Sequence, residues 1–283
     1  WEGNLTIIYS SEAKTKFTIA YDDEFSMSEP HQIPVDNSDL FVFYCIFFER
    51  DQSHPVEAIE FFPGNRKVVH HANISFYTLN KKVDLGGNRS LAFLLDLDNP
   101  KHASLFKIPP ENHIYSTGWV PGAGPMQFSE GIGFELPKNG FLLLGMHYAP
   151  TSVPEEDLSY LKIRYAKKPI QHEIQALVIG SSGIGKFDKS MDIPANEIKT
   201  ITVSQKTSKD IYLISSNPHM HLLGRKFQAR AITASGKTIP LVRINDWDFN
   251  WQEFYQFTEP LKIPGGSTIY VTGTFDNTED NPF

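Results

Sequence analysis

An all-β fold of two tandem antiparallel β-sandwiches, jelly-roll-like in build, is predicted by three observations on the 283-residue chain. Short runs rich in β-branched and aromatic residues recur along it, many alternating apolar with polar positions. Turn formers separate them at the spacing of sandwich strands: Pro63-Gly64-Asn65, Gly86-Gly87, Pro121-Gly122, Ser235-Gly236 and Pro264-Gly265-Gly266. Almost nothing between these turns carries a helical period.

In chain order, strands are expected at 5–9, 16–21, 39–49, 67–79, 91–97, 141–148, 161–166, 172–179, 198–204, 210–216, 225–233 and 268–275. The third lies in an unbroken apolar run, Leu40 to Phe48, and Cys45 within it reads as a small buried hydrophobe. As the chain's single cysteine it rules out an internal disulfide. A polar, proline-marked joint at Ala166-Lys167-Lys168-Pro169 divides the chain into an N-terminal domain, 1–167, and a C-terminal domain, 168–283, each of normal domain size. Hydrophobic residues at 40% and charged residues at 21% are globular values and exclude disorder.

The net charge of -7 with no basic stripe leaves no footing for a nucleic-acid backbone or an anionic membrane surface. No apolar run approaches a bilayer span, so no transmembrane segment is expected. The start at Trp1, without an initiator Met or a signal peptide, suggests a piece trimmed from something longer. Sequons at Asn4, Asn73 and Asn88 would matter only in a eukaryotic secretory protein. Residues 180–186, Gly-Ser-Ser-Gly-Ile-Gly-Lys, match the glycine and lysine positions of a phosphate-binding loop. Phe187 stands where Ser or Thr is needed and no helix pattern follows, so a sandwich loop is expected.

Chemistry concentrates in the histidines. Pro218-His219-Met220-His221 follows the run ending at Ser216, and residues at i and i+2 on a strand share a face. His219 and His221 can therefore reach one metal, or stand as two half-exposed surface groups; Met220 between them reads as a core residue. His70-His71 closes the run Lys67-Val68-Val69, and adjacent strand residues point to opposite faces. A shared metal there needs a bulge; the competing reading is one buried and one exposed histidine. His147 ends an apolar strand, where a lone histidine is ordinarily a satisfied core group. His31, His54, His102, His113 and His172 have no partner at ligand spacing.

Four stretches taken in order resemble the copper type II, ascorbate-dependent monooxygenases: 62–71 (FPGNRKVVHH), 118–122 (GWVPG), 145–148 (GMHY) and 218–225 (PHMHLLGR). The resemblance runs from about Phe62 onward and is closest to bacterial members, whose C-terminal segments are similar to 241–252 (LVRINDWDFNWQ) and 276–278 (DNT). It implies two copper ions held by two sandwiches facing each other across an open, solvent-filled cleft. It assigns an electron-transfer copper to His70, His71 and His147 and an oxygen-binding copper to the catalytic pair His219 and His221. Ascorbate or another one-electron donor, carried by a donor domain or protein, would reduce both. Dioxygen and a small-molecule substrate would complete a C–H hydroxylation, in extracytoplasmic surroundings, periplasmic or secreted.

The chain departs from that pattern in three places. The family's oxygen-binding copper takes a downstream methionine, and none follows Met220; either the chain stops short of it or the ligand is lacking. Asn217 stands where peptide-amidating members carry the arginine that grips a substrate carboxylate, which argues against a peptide C-terminus as substrate. The disulfides of animal members cannot form, so stability must come from core burial. Two other functions compete: a copper- or zinc-binding sandwich module without oxygen chemistry, and a purely structural sandwich pair whose 13% aromatic content supplies stacking surfaces.

Overall fold

The computed structural model describes residues 20–79, 92–96, 112–181, 183–249, 251–252 and 254–281. The strand expected at 5–9, most of that at 16–21, both ends of that at 91–97, the Gly86-Gly87 turn, His102 and the sequons at Asn4 and Asn88 lie outside them. Among the described residues there is no α-helix, and the strands form two tandem antiparallel sandwiches.

The first sandwich opposes two sheets. One orders β1 (Asp23–Ser26), β12 (Tyr160–Tyr165), β4 (His54–Phe62), β9 (Ile132–Leu136) and β13 (His172–Glu173), with β8 (Met126–Gln127) also on β4. The other orders β6 (Ala92–Leu94), β3 (Leu40–Glu49), β10 (Asn139–Tyr148), β5 (Val69–Thr78) and β7 (His113–Trp119). Between them lies a core of Ile74, Phe76, Phe134, Leu142, Leu144, Leu161 and Ile163, all essentially without exposure. Alternation sends Leu142, Leu144 and Met146 of β10 into this core, while Phe141 and Leu143 join Cys45, Phe43 and Phe47 on the opposite face. The two central strands are apolar on both faces, hence the unbroken run around Cys45. A further pair, β2 (His31–Ile33) with β11 (Glu155–Asp157), borders this sandwich.

The second sandwich sets a sheet of β14 (Lys186–Phe187), β15 (Ile198–Lys206), β20 (Thr268–Asp276), β17 (Gly224–Ile232) and β18 (Thr238–Ile244) against the pair β16 (Ile211–Ser216) and β19 (Tyr255–Ile263). Its inner face buries Ala231, Ile263 and Ile269 at one end and Met220, Phe227, Ala229 and Trp247 at the other. Its outer face carries threonine pairs across strands, Thr200 with Thr274 and Thr202 with Thr272, hydroxyls 3.0 and 3.1 Å apart.

Among the strands absent from the sequence expectation, three contain a proline, Pro55 in β4, Pro240 in β18 and Pro260 in β19, while β7 and β9 were missed without one. Proline cannot donate to a ladder and demotes a run to an edge or a bulge. Pro240 lies on the edge strand β18 opposite a register shift at Ala229/Arg230, and Pro260 falls in a stretch of β19 that the β16 register skips. The strand expected at 172–179 shrinks to two residues, which pair in parallel with β9, plus an isolated bridge from Ile179 to Ile184. That bridge closes the loop at 180–186, with Gly180 and Gly185 at φ of 141° and 121°. Lys186 leads into β14, not a helix, as expected of a sandwich loop.

Candidate metal centre

The first histidine group is built by one irregularity. The turn before β5 is pinned by Asn65, whose side chain accepts from the Lys67 N–H at 3.1 Å and donates to Glu155 at 2.8 Å. The Asn65 carbonyl accepts from the Val69 N–H at 3.0 Å. Strand β5 then pairs with β10 so that Val69 opposes Tyr148 while His71 opposes His147, leaving His70 as an extra residue. Such a β-bulge breaks the strict alternation of side chains. His70 and His71, adjacent in sequence, therefore converge where a regular strand would send them apart.

The three Nδ1 atoms come together: His70 to His71 is 3.2 Å, His70 to His147 3.1 Å and His71 to His147 3.1 Å. An ion about 2.0–2.1 Å from each imidazole, as in tetrahedral sites, spaces its nitrogens by roughly 3.3 Å, close to what is found. His147 Nε2 lies 2.8 Å from Asp39 Oδ1, and Phe41 stacks on the His147 ring with centroids 4.1 Å apart. A carboxylate only accepts, so Nε2 carries the proton and the Nδ1 lone pair faces the other two rings.

His147 is 1% exposed and His71 8%. Burial, reinforced by the neighbouring His147, His70 and His219, pushes His71 down to about 3. Burial also lowers His147, against the opposing pull of Asp39. Both are neutral near pH 7, the form that ligates. Among the described residues, His70, His71 and His147 are the group of three or more His, Cys, Asp or Glu side chains that could hold one ion.

The second group sits between β16 and β17. The expected strand stops at Ser216, and the segment on to His221 is irregular, yet alternation survives: Pro218 and Met220 are buried, His219 and His221 exposed. Met220 belongs to the core, as expected, with Trp247 and Phe227. The two imidazoles face each other through Nε2 at 3.1 Å. His219 Nδ1 bonds Gln252 Oε1, and desolvation lowers this histidine's pKa against that bond.

The two groups adjoin. The Phe249 ring lies 6.2 Å from His147 and 6.2 Å from His221, centroid to centroid. A cavity of about 1180 Å³ is walled by both sandwiches, with Phe61 and Trp119 from one, Leu241 from the other and Phe254 from the segment before β19. Asp39 was not singled out from the sequence, and Phe249 and Gln252, although within the stretch 241–252 that carries the resemblance, were given no role there, because each meets its histidine only through tertiary structure.

The other histidines take ordinary roles. His31 stacks on Tyr148, His54 stacks on Tyr165 and His113 bonds Ser116. His172 is exposed on β13.

Imidazole donors suit copper, and the chemistry of the three-nitrogen group fits that ion. Residues 183–283 match the family model described as copper type II ascorbate-dependent monooxygenase, C-terminal domain. That stretch contains the second histidine group, Phe249 and Gln252. Residues 183–283 are thus similar to the C-terminal domain of the copper type II monooxygenases, and the preceding sandwich carries a histidine cluster suited to copper.

Proposed function

We propose that the protein hydroxylates a C–H bond of a small organic substrate, using dioxygen and an external one-electron reductant, ascorbate or an equivalent donor. The observation that carries this reading is the pairing of two histidine groups, one on each sandwich, whose lone pairs converge while Phe249 touches a ring of each. Copper bound at both groups would supply one-electron cycling and oxygen activation. His70, His71 and His147 serve the electron-transfer site of the N-terminal domain, 1–167. His219 and His221 serve the oxygen site of the C-terminal domain, 168–283, whose strand β13 pairs back onto the first sandwich.

The chain's own groups prepare that chemistry. Asp39 holds the proton of His147 at Nε2 and keeps Nδ1 free to ligate. Burial keeps His71 neutral, so no proton competes for its ligating atom near neutrality. The cavity walled by both sandwiches, with Phe61, Trp119 and Phe254 on its lining, offers an apolar substrate a place to bind. An extracytoplasmic location and kinship with bacterial members go with this reading; no helix among the described residues is long and apolar enough to cross a membrane.

A metal-binding module without oxygen chemistry is the second reading. It is favoured by one observation: the described ligands of the second group are two histidines, with Met220 turned into the core. Copper loading followed by metal counting, EPR and ascorbate-driven oxygen uptake separates the two. Two type 2 coppers with substrate-dependent oxygen uptake support the monooxygenase. A single copper, lost on changing His147 but retained on changing His219, supports the module.

A further inference from the structure

We infer that Trp247, Phe249 and Gln252 form a positioning element that sets which ring nitrogen of His219 carries the proton and sets the contact between the two histidine groups. Its start is fixed: Trp247 is buried against Phe227 and its backbone N–H donates to the Arg225 carbonyl at 2.9 Å. Its end carries Gln252, 7% exposed, whose Nε2 donates to the Phe249 carbonyl at 2.9 Å.

That bond decides the rest. A backbone carbonyl only accepts, so the amide nitrogen of Gln252 must face Phe249 and its oxygen must face His219. An amide oxygen also only accepts, so His219 Nδ1 carries the proton. The lone pair is thereby left on Nε2, the atom that faces His221. The same segment places the Phe249 ring against His147 on one side and His221 on the other. One short stretch of chain thus orients a ligand of the second group and packs on a ligand of the first. Neither Gln252 nor Phe249 ligates; both act through the histidines they touch.

The inference builds on the copper reading, but its first test needs no metal. Long-range nitrogen-15 NMR of the metal-free, full-length chain reports which nitrogen of each histidine is protonated. The wild type is expected to show His219 protonated on Nδ1. Gln252→Leu should shift that proton toward Nε2, and Gln252→Glu, which keeps an acceptor, should retain it on Nδ1. Phe249→Ala should move the ring-proton shifts of His147 and His221 together and leave the His219 proton in place.

Copper titration then follows. Gln252→Leu should weaken binding at the second group about 10- to 100-fold and leave the first within about twofold, with Gln252→Glu recovering most of the loss. His219 protonated on Nε2 in the wild type, or unmoved by Gln252→Leu, overturns the inference. So do His147 and His221 shifts indifferent to Phe249→Ala. Should Gln252→Leu fail to fold, Gln252→Met removes the acceptor with less change of shape. A wild type that takes up no copper sinks the proposed function, while the proton positions still decide this inference.

Discussion

Asp39 and His147, 108 positions apart, meet through an Oδ1···Nε2 hydrogen bond of 2.8 Å that turns the opposite edge of the imidazole toward His70 and His71. The bond follows from register. Phe41 opposes His147 across β3 and β10, and Asp39 stands just before β3, where its carboxylate reaches around to the far side of the ring.

Asp39→Ala should lower copper affinity at the first group by about 10- to 100-fold, the usual effect of losing a ligand's outer partner. The second group should keep its copper. Competitive titration against a chelator, read with the EPR spectrum, tests both expectations, and equal loss at the two groups would contradict the partition.

His219→Ala or His221→Ala should abolish ascorbate-driven oxygen consumption and leave the thermal transition within a few degrees of the parent, because both side chains are exposed. His147→Ala should remove copper from the first group alone and slow electron delivery. Because His147 is 1% exposed, it should also cost stability, about 1–3 kcal/mol from the broken bond to Asp39 and the space left behind. Stopped-flow reduction and chemical denaturation measure the two consequences separately.

Acid should destabilise the metal-free protein, in part through His31. This histidine lies flat on Tyr148, centroids 5.4 Å apart, and burial lowers its pKa, with Asp157 opposing. As pH falls through the unfolded value of about 6.5, the unfolded chain takes up the proton first, and stability declines toward the lower folded value. His31→Phe keeps the stacking and removes the proton uptake. Its stability should fall less steeply between pH 7 and pH 5, as measured by urea unfolding at each pH.

Gly64→Ala should destabilise the N-terminal sandwich by about 1–3 kcal/mol, a typical cost of forcing extra atoms into a packed site. An added Cβ would stand 2.5 Å from the Leu158 nitrogen, so backbone must move. That displacement acts on the turn that launches β5, and copper affinity at the first group should drop with it. A stable variant with unchanged affinity would show that the turn tolerates the shift.

Much of this molecule was legible in its sequence. Apolar runs marked the central strands, and His-x-His revealed a shared side because alternation survives even where the segment before β17 is irregular. Strands β18 and β19 hid behind their prolines, since a local rule cannot see that an edge or a skipped register accommodates the missing donor. The closeness of His70 and His71 needed a bulge that no composition signals. Asp39 and Gln252 were beyond reach for a different reason. An acid or an amide in a polar stretch is unremarkable until strand pairing decides which ring it faces.

The bulge at His70 makes ligand geometry a matter of counting. Without Val69 the ladder would close evenly, His70 opposite Tyr148 and His71 opposite His147, and the two adjacent imidazoles would fall on opposite sides of the sheet. Deleting Val69 should therefore erase the first group as thoroughly as removing its histidines, although all three remain in the chain. Anyone transplanting this triad to another antiparallel scaffold must graft the length mismatch together with the imidazoles.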